Sequence, residues 1–384
     1  MKISVPDASS RRLLIILMFA HLFGTFFAYA VYINVSTLGD GYQSEFLSEY
    51  SAKGGGNFTS TLLTAYVYYY LGFLFPSFFA PMVLGILIAI ITWFAFRDVY
   101  KHLSLFLFLT CNLFPHFLVW SGASSKEQLV ILSGLIVINF AAKRSFNAKN
   151  LNINLIFVLL ALSIIFIIRP NYFVIYFVIF TTALFSPVLH KIVSRRLSVG
   201  VWVFVFSLLT ISVMVYLSLK NKFLSEDLID FMSEVQYSFY AYETAGSNRY
   251  NIQWNDINDY FYNAIWAIPQ GFIGPTLLEG LKKPLQFPAF LEGLLYLTIL
   301  GYLFFQLLQI SVKSRILRLH ILPYIYICFV IVFVSYPFLM FNPGSALRYK
   351  QSMHPILIFY PLLVLAYYRA NNILETKIKK KTDE

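Results

Sequence analysis

The composition of this 384-residue chain excludes an ordinary soluble domain, because 59% of its residues are hydrophobic and only 12% are charged. In soluble proteins, about 45–50% of residues are apolar and about 25% are charged. The net charge of +11 does not indicate nucleic-acid binding, since no basic patch interleaved with aromatic residues lies outside the apolar runs. Both cysteines lie within apolar runs, so no disulfide framework is predicted.

Long apolar runs recur from one end of the chain to the other, most of them able to cross a hydrocarbon core of about 30 Å. Lipid cannot satisfy open backbone groups, so these runs predict helices and an all-α, polytopic integral membrane protein. The first run exceeds a signal-peptide core and is interpreted as a retained helix. About ten spans are predicted, at residues 13–33, 78–96, 104–120, 128–142, 152–168, 172–189, 198–219, 291–310, 321–341 and 356–368.

The stretch TLLTAYVYYYLGFLF at 61–75 is ambiguous, because it is short, rich in tyrosine and followed by Pro76. Charge favours an interfacial helix. With ten spans and both termini in the cytoplasm, most of the 29 basic residues lie on the inner side and most of the 18 acidic residues lie outside, as the positive-inside rule requires. An eleventh span at 61–75 would invert every later loop.

This topology predicts one transmembrane domain over residues 1–384. Its first outer loop, 34–77, carries the interfacial helix. A long outer loop at 220–290 carries an amphipathic helix near 226–244, and a basic cytoplasmic tail at 369–384 lies against anionic membrane lipids.

The unusual polar residues all fall on the predicted outer face, in GDGYQSE, WSGASSKEQ, IIRPNY and NPGSALRYKQSMHP. In the first, Asp40 is either a turn residue or a site carboxylate. In the second, Ser124 or Ser125 is a candidate helix cap with Glu127 in the first turn. The Lys126–Glu127 pair would still be costly at the start of a membrane helix unless it faced a polar cavity.

Cations in the last two motifs suit an anionic phosphate. Arg169 either reaches the lipid interface or belongs to a site. Arg348 and Lys350, with His354, form the densest outer cationic group, and they lack the acidic ligands that a metal site would need. One carboxylate and several cations on one face predict a site for a phosphorylated lipid headgroup, with the carboxylate as general base.

Aromatic and amide side chains dominate the stretch NRYNIQWNDINDYFYNAIWAIPQGF in the long outer loop. They suit either a sugar pocket or an interfacial aromatic belt. Trp266 in this stretch and Tyr42 in the first loop are the candidate sugar contacts.

Taken together, GDGY, P-x-x-x-x-W-S-G-x-x-S-K-E at 115–127, RPNY, GFIGP with a downstream LEG, and N-P-G-x-x-x-R-Y-K resemble bacterial polytopic glycosyltransferases of the C-type (GT-C) superfamily. More narrowly, they resemble O-antigen repeat-unit polymerases. The resemblance lies in the order and shared sidedness of short motifs over about residues 35–355.

The resemblance implies a lipid-linked sugar donor used on the outer, periplasmic face of a bacterial inner membrane. It implies Asp40 as catalytic base, and 61–75 matches the family's short helix after that aspartate. Lys126, Arg169, Arg348 and Lys350 would hold the donor phosphate, and Glu127, Tyr42, Trp266 and His354 would contact substrate. Asp40 lacks the paired acids of metal-using members, so neither a metal nor a cofactor is expected.

The sequence therefore predicts an inverting transferase that takes a polyprenyl-(di)phosphate-linked saccharide as donor and a saccharide as acceptor, and polymerises repeat units. A chain-length-regulating membrane protein would be a further partner. The alternatives are a flippase or transporter of the lipid-linked saccharide, a single-sugar transferase, and a ligase or acyltransferase on the same carrier. Glu45 and Glu49 compete with Asp40 as the base.

Overall fold

The structure is a computed structural model that describes residues 8–32, 60–75, 79–146, 155–184 and 257–383, together with 229–230, 232–234, 236–237, 249, 252 and 254–255. All regular structure within these residues is helical, which confirms the all-α class. Asp40, Tyr42, Glu45, Glu49 and the predicted span 198–219 lie outside the described residues, as does most of the amphipathic helix predicted near 226–244.

Fourteen α-helices lie wholly within the described residues, and residues 229–230, 232–234 and 236–237 are helical as well. They are α1 (Ala8–Ala30), α2 (Ser60–Leu74), α3 (Phe79–Phe96), α4 (Leu105–Asn112), α5 (Pro115–Gly122), α6 (Lys126–Ser145), α7 (Leu155–Ile168), α8 (Pro170–Leu184), α9 (Ile257–Ile273), α10 (Leu277–Lys282), α11 (Phe287–Lys313), α12 (Arg315–Met340), α13 (Pro343–His354) and α14 (Tyr360–Asp383). A π-helical turn, Pro355–Phe359, joins the last two.

Six helical segments among the described residues are long and apolar enough to cross a membrane: Ala8–Ala30, Phe79–Phe96, Lys126–Ser145, Phe287–Lys313, His320–Met340 and Pro343–Asn372. A seventh arises if α4 and α5, bent by 46° at their junction, form one broken span. These segments are what a multi-pass membrane protein requires. The predicted count of about ten is not reached. The apolar helices α7 and α8, with 14 and 15 residues, extend only about 21–23 Å.

The chain forms two compact units. One contains Met1–Leu184 and Gln351–Glu384, and the other contains Phe185–Lys350. In the first unit, α1 packs against α3 and α5, while α6 packs against α3, α7 and α8. In the second unit, α9 packs against α11 and α12, and α11 also packs against α12.

Small residues bring α1, α3 and α5 into close contact, and we call Gly24, Thr25, Gly85 and Gly122 the small-residue seam. A Cβ atom added to Gly24 would lie 2.6 Å from the carbonyl oxygen of Leu118, and one added to Gly122 would lie 2.6 Å from the backbone nitrogen of Thr25. Membrane helices associate through such small side chains because lipid gives them no hydrophobic drive to pack.

Aromatic side chains fill the core of the second unit. Tyr260 of α9 donates a hydrogen bond to the carbonyl of Phe333 at 3.0 Å, and the Tyr336 hydroxyl donates to the carbonyl of Tyr260. Met232 and Trp254, from the described part of the long loop, pack against the same rings. This loop therefore contributes core residues to its own unit.

Candidate functional site

A buried ion pair joins two of the motifs that the sequence singles out. The Arg169 guanidinium donates from Nη2 to Oε1 of Glu127 at 2.6 Å. Glu127 lies in the first turn of α6 and is fully buried, whereas the Arg169 side chain is 17% exposed. Arg169 stands between α7 and α8 because the proline that follows it disfavours helical geometry at this position.

The start of α6 is fixed by the cap that the sequence predicts. The side chain of Ser125 accepts a hydrogen bond from the backbone N–H of Gln128, with Glu127 in the first turn. This cap satisfies one of the open N–H groups of the helix. The carboxylate of Glu127 also lies where the helix dipole favours a negative charge. Of the two candidate caps, Ser124 and Ser125, the structure selects Ser125, and it confirms Glu127 in the first turn.

Gln128 connects four helices through its side chain. Its amide nitrogen donates to the carbonyl of Pro81 at 2.8 Å and to that of Ser121 at 2.6 Å. Its amide oxygen accepts from the hydroxyl of Tyr68 at 2.6 Å. The same hydroxyl accepts from the backbone N–H of Ser125 at 3.1 Å. Helices α2, α3 and α5 are thereby tied to the start of α6.

Two further contacts attach α1 to this turn and to the end of α5. The hydroxyl of Tyr29 donates to Oγ of Ser124 at 2.9 Å and accepts from the Ser124 backbone N–H at 3.0 Å. Nδ1 of His21 lies 2.8 Å from Oγ of Ser121. We call the residues of these contacts the serine-turn cluster: His21, Tyr29, Tyr68, Ser121, Ser124, Ser125, Glu127, Gln128 and Arg169.

The chemistry of the serine-turn cluster follows from the ion pair at its edge. A guanidinium carries five N–H donors in a fixed fork, so it can serve a carboxylate and an anionic phosphate together. Glu127 holds Arg169 in one orientation and balances its charge in a water-poor environment. In this arrangement the carboxylate of Glu127 is engaged by a cation.

In the second unit, Lys350 is fully buried on α13. Its ammonium donates to the carbonyl of Phe272 at 3.1 Å and lies 5.0 Å from the ring centroid of Tyr296. Glu292 interacts with it electrostatically. Phe272 belongs to GFIGP and Lys350 to N-P-G-x-x-x-R-Y-K, so residues from two motifs of the resemblance meet here.

Arg249 binds Glu279, a contact that the sequence does not predict. Its guanidinium makes a two-pronged contact with Glu279, from Nε at 3.0 Å and from Nη2 at 2.8 Å. It also donates to the carbonyls of Gly274 at 2.6 Å and Met340 at 3.0 Å. Gly274 has φ +91, a left-handed conformation that favours glycine at this position of GFIGP.

Glu279 is held by its own helix as well as by Arg249. Thr276 and Glu279 form a capping box at the start of α10. Burial alone would raise the pKa of the Glu279 carboxyl, but the hydrogen bonds from Arg249 and from the Thr276 backbone outweigh it, so the pKa lies below its ordinary value of 4.5. The T-x-x-E pattern at Thr276–Glu279 predicts this capping box from the sequence. No comparable motif around Arg249 predicts its contact with Glu279.

The remaining predicted site residues occupy different surroundings. Lys126 is the first residue of α6 and is half-buried. Arg348 is half-buried on α13, two residues from Lys350, a spacing at which helical side chains do not face each other. Trp266 is 41% exposed and lies 3.3 Å from Oδ1 of Asn263. His354 is fully buried and contacts the carbonyl of Cys111 at 2.9 Å.

The structure thus brings Glu127 and Arg169 together and encloses Lys350 and His354 within their own units. The described residues contain no group of three His, Cys, Asp or Glu side chains that could hold a metal ion. Comparisons with protein-family models, curated proteins and solved structures find no match to the chain.

Proposed function

We propose that this chain is a membrane glycosyltransferase that uses a polyprenyl-(di)phosphate-linked saccharide as donor and a saccharide as acceptor. In this proposal it acts on the periplasmic face of a bacterial inner membrane. Its product is a surface polysaccharide such as O-antigen, assembled by polymerising repeat units.

The Glu127–Arg169 pair is the observation that carries the proposal. A charged pair at the start of an apolar helix is costly, and such residues in membrane proteins usually serve function. Arg169 stands in RPNY and Glu127 in WSGASSKE, which are two of the motifs in the GT-C resemblance. A guanidinium oriented by a carboxylate suits the phosphate of a lipid-linked donor.

The proposed reaction is an inverting displacement. The acceptor hydroxyl attacks the anomeric carbon of the donor saccharide, while the bond from that carbon to the phosphate oxygen breaks. The hydroxyl proton passes to the carboxylate of Asp40. The polyprenyl (di)phosphate departs as an anion, and Arg169 and Lys126 offset its developing charge. The proposal assigns no step to a metal or cofactor.

The test is transfer by purified protein in detergent, with a labelled lipid-linked saccharide donor. We expect Asp40→Asn to lower the transfer rate by a hundredfold or more, within the usual range for a general base. Asp98→Asn is the matched control, since Asp98 is exposed and pairs only with Arg97 among the ion pairs of the described residues. Normal transfer by Asp40→Asn at equal expression would refute this assignment of the base. Glu45→Gln and Glu49→Gln test its competitors.

A flippase for the lipid-linked saccharide is the second candidate, and the position of Lys350 favours it. The structure places this buried lysine within the apolar segment Pro343–Asn372, whereas the sequence places it in an outer loop. Intramembrane charges commonly line transport paths. Detergent removes the two compartments, so a flippase yields no glycosylated product in the assay, and an elongated product supports the transferase.

A further inference from the structure

Two consecutive helices of the second unit present apolar faces outwards. On α9, Phe261, Tyr262, Ile265 and Trp266 are exposed, and Ile265 is 77% exposed. Their spacing of three and four residues places them on one stripe of the helix. The opposite stripe packs on the core of the unit and contains the buried residues Tyr260, Ala264 and Ala267.

The short helix α10 continues this pattern. Leu277, Leu278 and Leu281 are all exposed, with Leu278 at 70%. Neither α9 nor α10 is long and apolar enough to count among the candidate spans. An amphipathic helix with Trp, Phe and Leu on its open face lies in the plane of a membrane interface, with that face in the acyl boundary.

Charge is distributed unevenly over the same segment. Within residues 257–286 the acidic residues are Asp259 and Glu279. The former accepts from the backbone N–H of Asn255 at 2.7 Å, and the latter is held by Arg249. The basic residues are Lys282 and Lys283, and both are exposed beside the leucines of α10. Arg249 offsets the charge of Glu279, so Lys282 and Lys283 together exceed the remaining charge of Asp259 and leave the segment net positive.

The start of α11 sets the depth of this segment. The candidate span Phe287–Lys313 has 27 residues, so it is about 40 Å long and exceeds a hydrocarbon core by about 10 Å. Its first residues therefore lie at or near the headgroups. Lys282 and Lys283 precede it by only a few residues, so they lie in the same layer.

We propose that residues 257–286 form an interface element that lies in the bilayer surface and binds anionic phospholipid headgroups through Lys282 and Lys283. The exposed stripe of α9 and the leucines of α10 enter the acyl boundary. The lysines attract lipid phosphates from its rim. This proposal does not depend on transferase or flippase activity.

Depth is measured with nitroxide labels on Ile265→Cys and Leu278→Cys in nanodiscs of phosphatidylcholine with phosphatidylglycerol. The native cysteines are buried, so labelling goes to the introduced site. Phe19→Cys, at a position 68% exposed on the membrane helix α1, is the lipid reference, and Lys101→Cys in an exposed connector is the aqueous reference. We expect both labels to respond to oxygen more than to a water-soluble nickel chelate, as at Phe19.

Either of two results would overturn this placement. A label that behaves like Lys101→Cys lies in water. A label shielded from both reagents is covered by protein, for example by a second copy of the chain.

Headgroup binding is measured by titrating phosphatidylglycerol into purified protein and counting retained lipids by native mass spectrometry. We expect Lys282→Gln and Lys283→Gln each to weaken phosphatidylglycerol binding about fivefold and to leave phosphatidylcholine binding unchanged. Phosphatidylcholine, which carries no net charge, is the control lipid for the same variants. An equal loss of phosphatidylcholine binding, or no loss of phosphatidylglycerol binding in the Lys282→Gln/Lys283→Gln double variant, contradicts the proposal.

Discussion

The Glu127–Arg169 pair illustrates how a charge is accommodated beside apolar helices. Glu127 is fully buried. The free-energy cost of burying its charge is offset by the guanidinium at 2.6 Å and by the position of the carboxylate at the helix N-terminus. Each partner depends on the other, because removal of either leaves an uncompensated charge.

We expect Arg169→Gln to lower the free energy of unfolding by about 3–5 kcal/mol, because the buried carboxylate loses its partner. The double variant Glu127→Gln/Arg169→Gln should recover part of this loss, since both charges are gone. Thermal unfolding in detergent, followed by the loss of monodisperse protein, measures both. Purely additive effects of the two single variants would show that the pair is not coupled.

Glu279 predicts an acid-sensitive component of stability. Its pKa is lower in the folded chain than the ordinary 4.5, so the unfolded carboxyl binds a proton first as pH falls. The stabilisation is therefore complete above about pH 5.5 and begins to decline near 4.5. It is lost as pH falls through the lower folded-state pKa.

Melting temperatures between pH 3 and 7 check this direction. We expect Glu279→Gln to melt lower than wild type at pH 7 and to approach it as the pH falls below 4.5. If the difference in melting temperature between wild type and Glu279→Gln stays the same from pH 3 to 7, the charge of Glu279 does not contribute to stability.

At the scale of helices, glycines decide which segments approach each other. A Cβ atom added to Gly293 on α11 would overlap the backbone carbonyl of Ile273, at the end of α9, whereas one added to Gly301 on the same helix meets nothing within 4 Å. The two glycines share an element and differ in surroundings, so they form a matched pair.

We expect Gly293→Ala to destabilise the protein by about 1–3 kcal/mol or more, because a helix backbone cannot give way as a side chain can. Gly301→Ala should be neutral or stabilising by up to about 1 kcal/mol through helix propensity. Melting temperatures of the two variants in the same detergent provide the comparison. Equal effects would argue against the close approach of α9 and α11.

Several helices could be predicted from the sequence, because apolar length and capping are local properties. The cap at Ser125 and the helix at 61–75, which appears as Ser60–Leu74, are examples. The interfacial position of that helix stays a prediction. The sequence instead predicts a loop where the helix Pro343–His354 lies. Its polar residues suggest exposure, and only the tertiary packing shows that several of them are buried.

The contacts between residues of the candidate site are harder to predict from the sequence than the helices are. The positions of Glu127 and Arg169 beside apolar runs make each a candidate from the sequence. Their contact joins residues 42 positions apart and follows from the packing of α6 against α7 and α8. Arg249 lies in a polar stretch without periodicity, and its four contacts arise only once α10 and α12 are folded. The roles predicted for Asp40 and Tyr42 stay predictions.

At the scale of the whole molecule, the sequence predicts one transmembrane domain, and the structure divides the chain into two compact units. The boundary between Lys350 and Gln351 falls inside α13. Because this boundary lies inside a helix, no linker in the sequence marks it. The orientation of the chain in the membrane stays a prediction from the charge bias of its loops.

Reporter fusions test that orientation. With ten spans and a cytoplasmic C-terminus, a green fluorescent protein fused after residue 384 should fluoresce. Alkaline phosphatase fused near residue 247 should be active, and one fused near residue 148 inactive. If 61–75 is an eleventh span, all three results reverse, so one set of fusions decides between the two topologies.

The small-residue seam also has a consequence for how the chain is made. His21 and Ser121, whose side chains meet beside it, are 100 residues apart. At translation rates of about 5–20 residues per second, α1 waits roughly 5–20 s for α5 to be synthesised. Throughout that time, His21 and Thr25 lack their final partners. Insertion of α1 therefore relies on its own apolar length, and docking of the two helices is a later event within the bilayer.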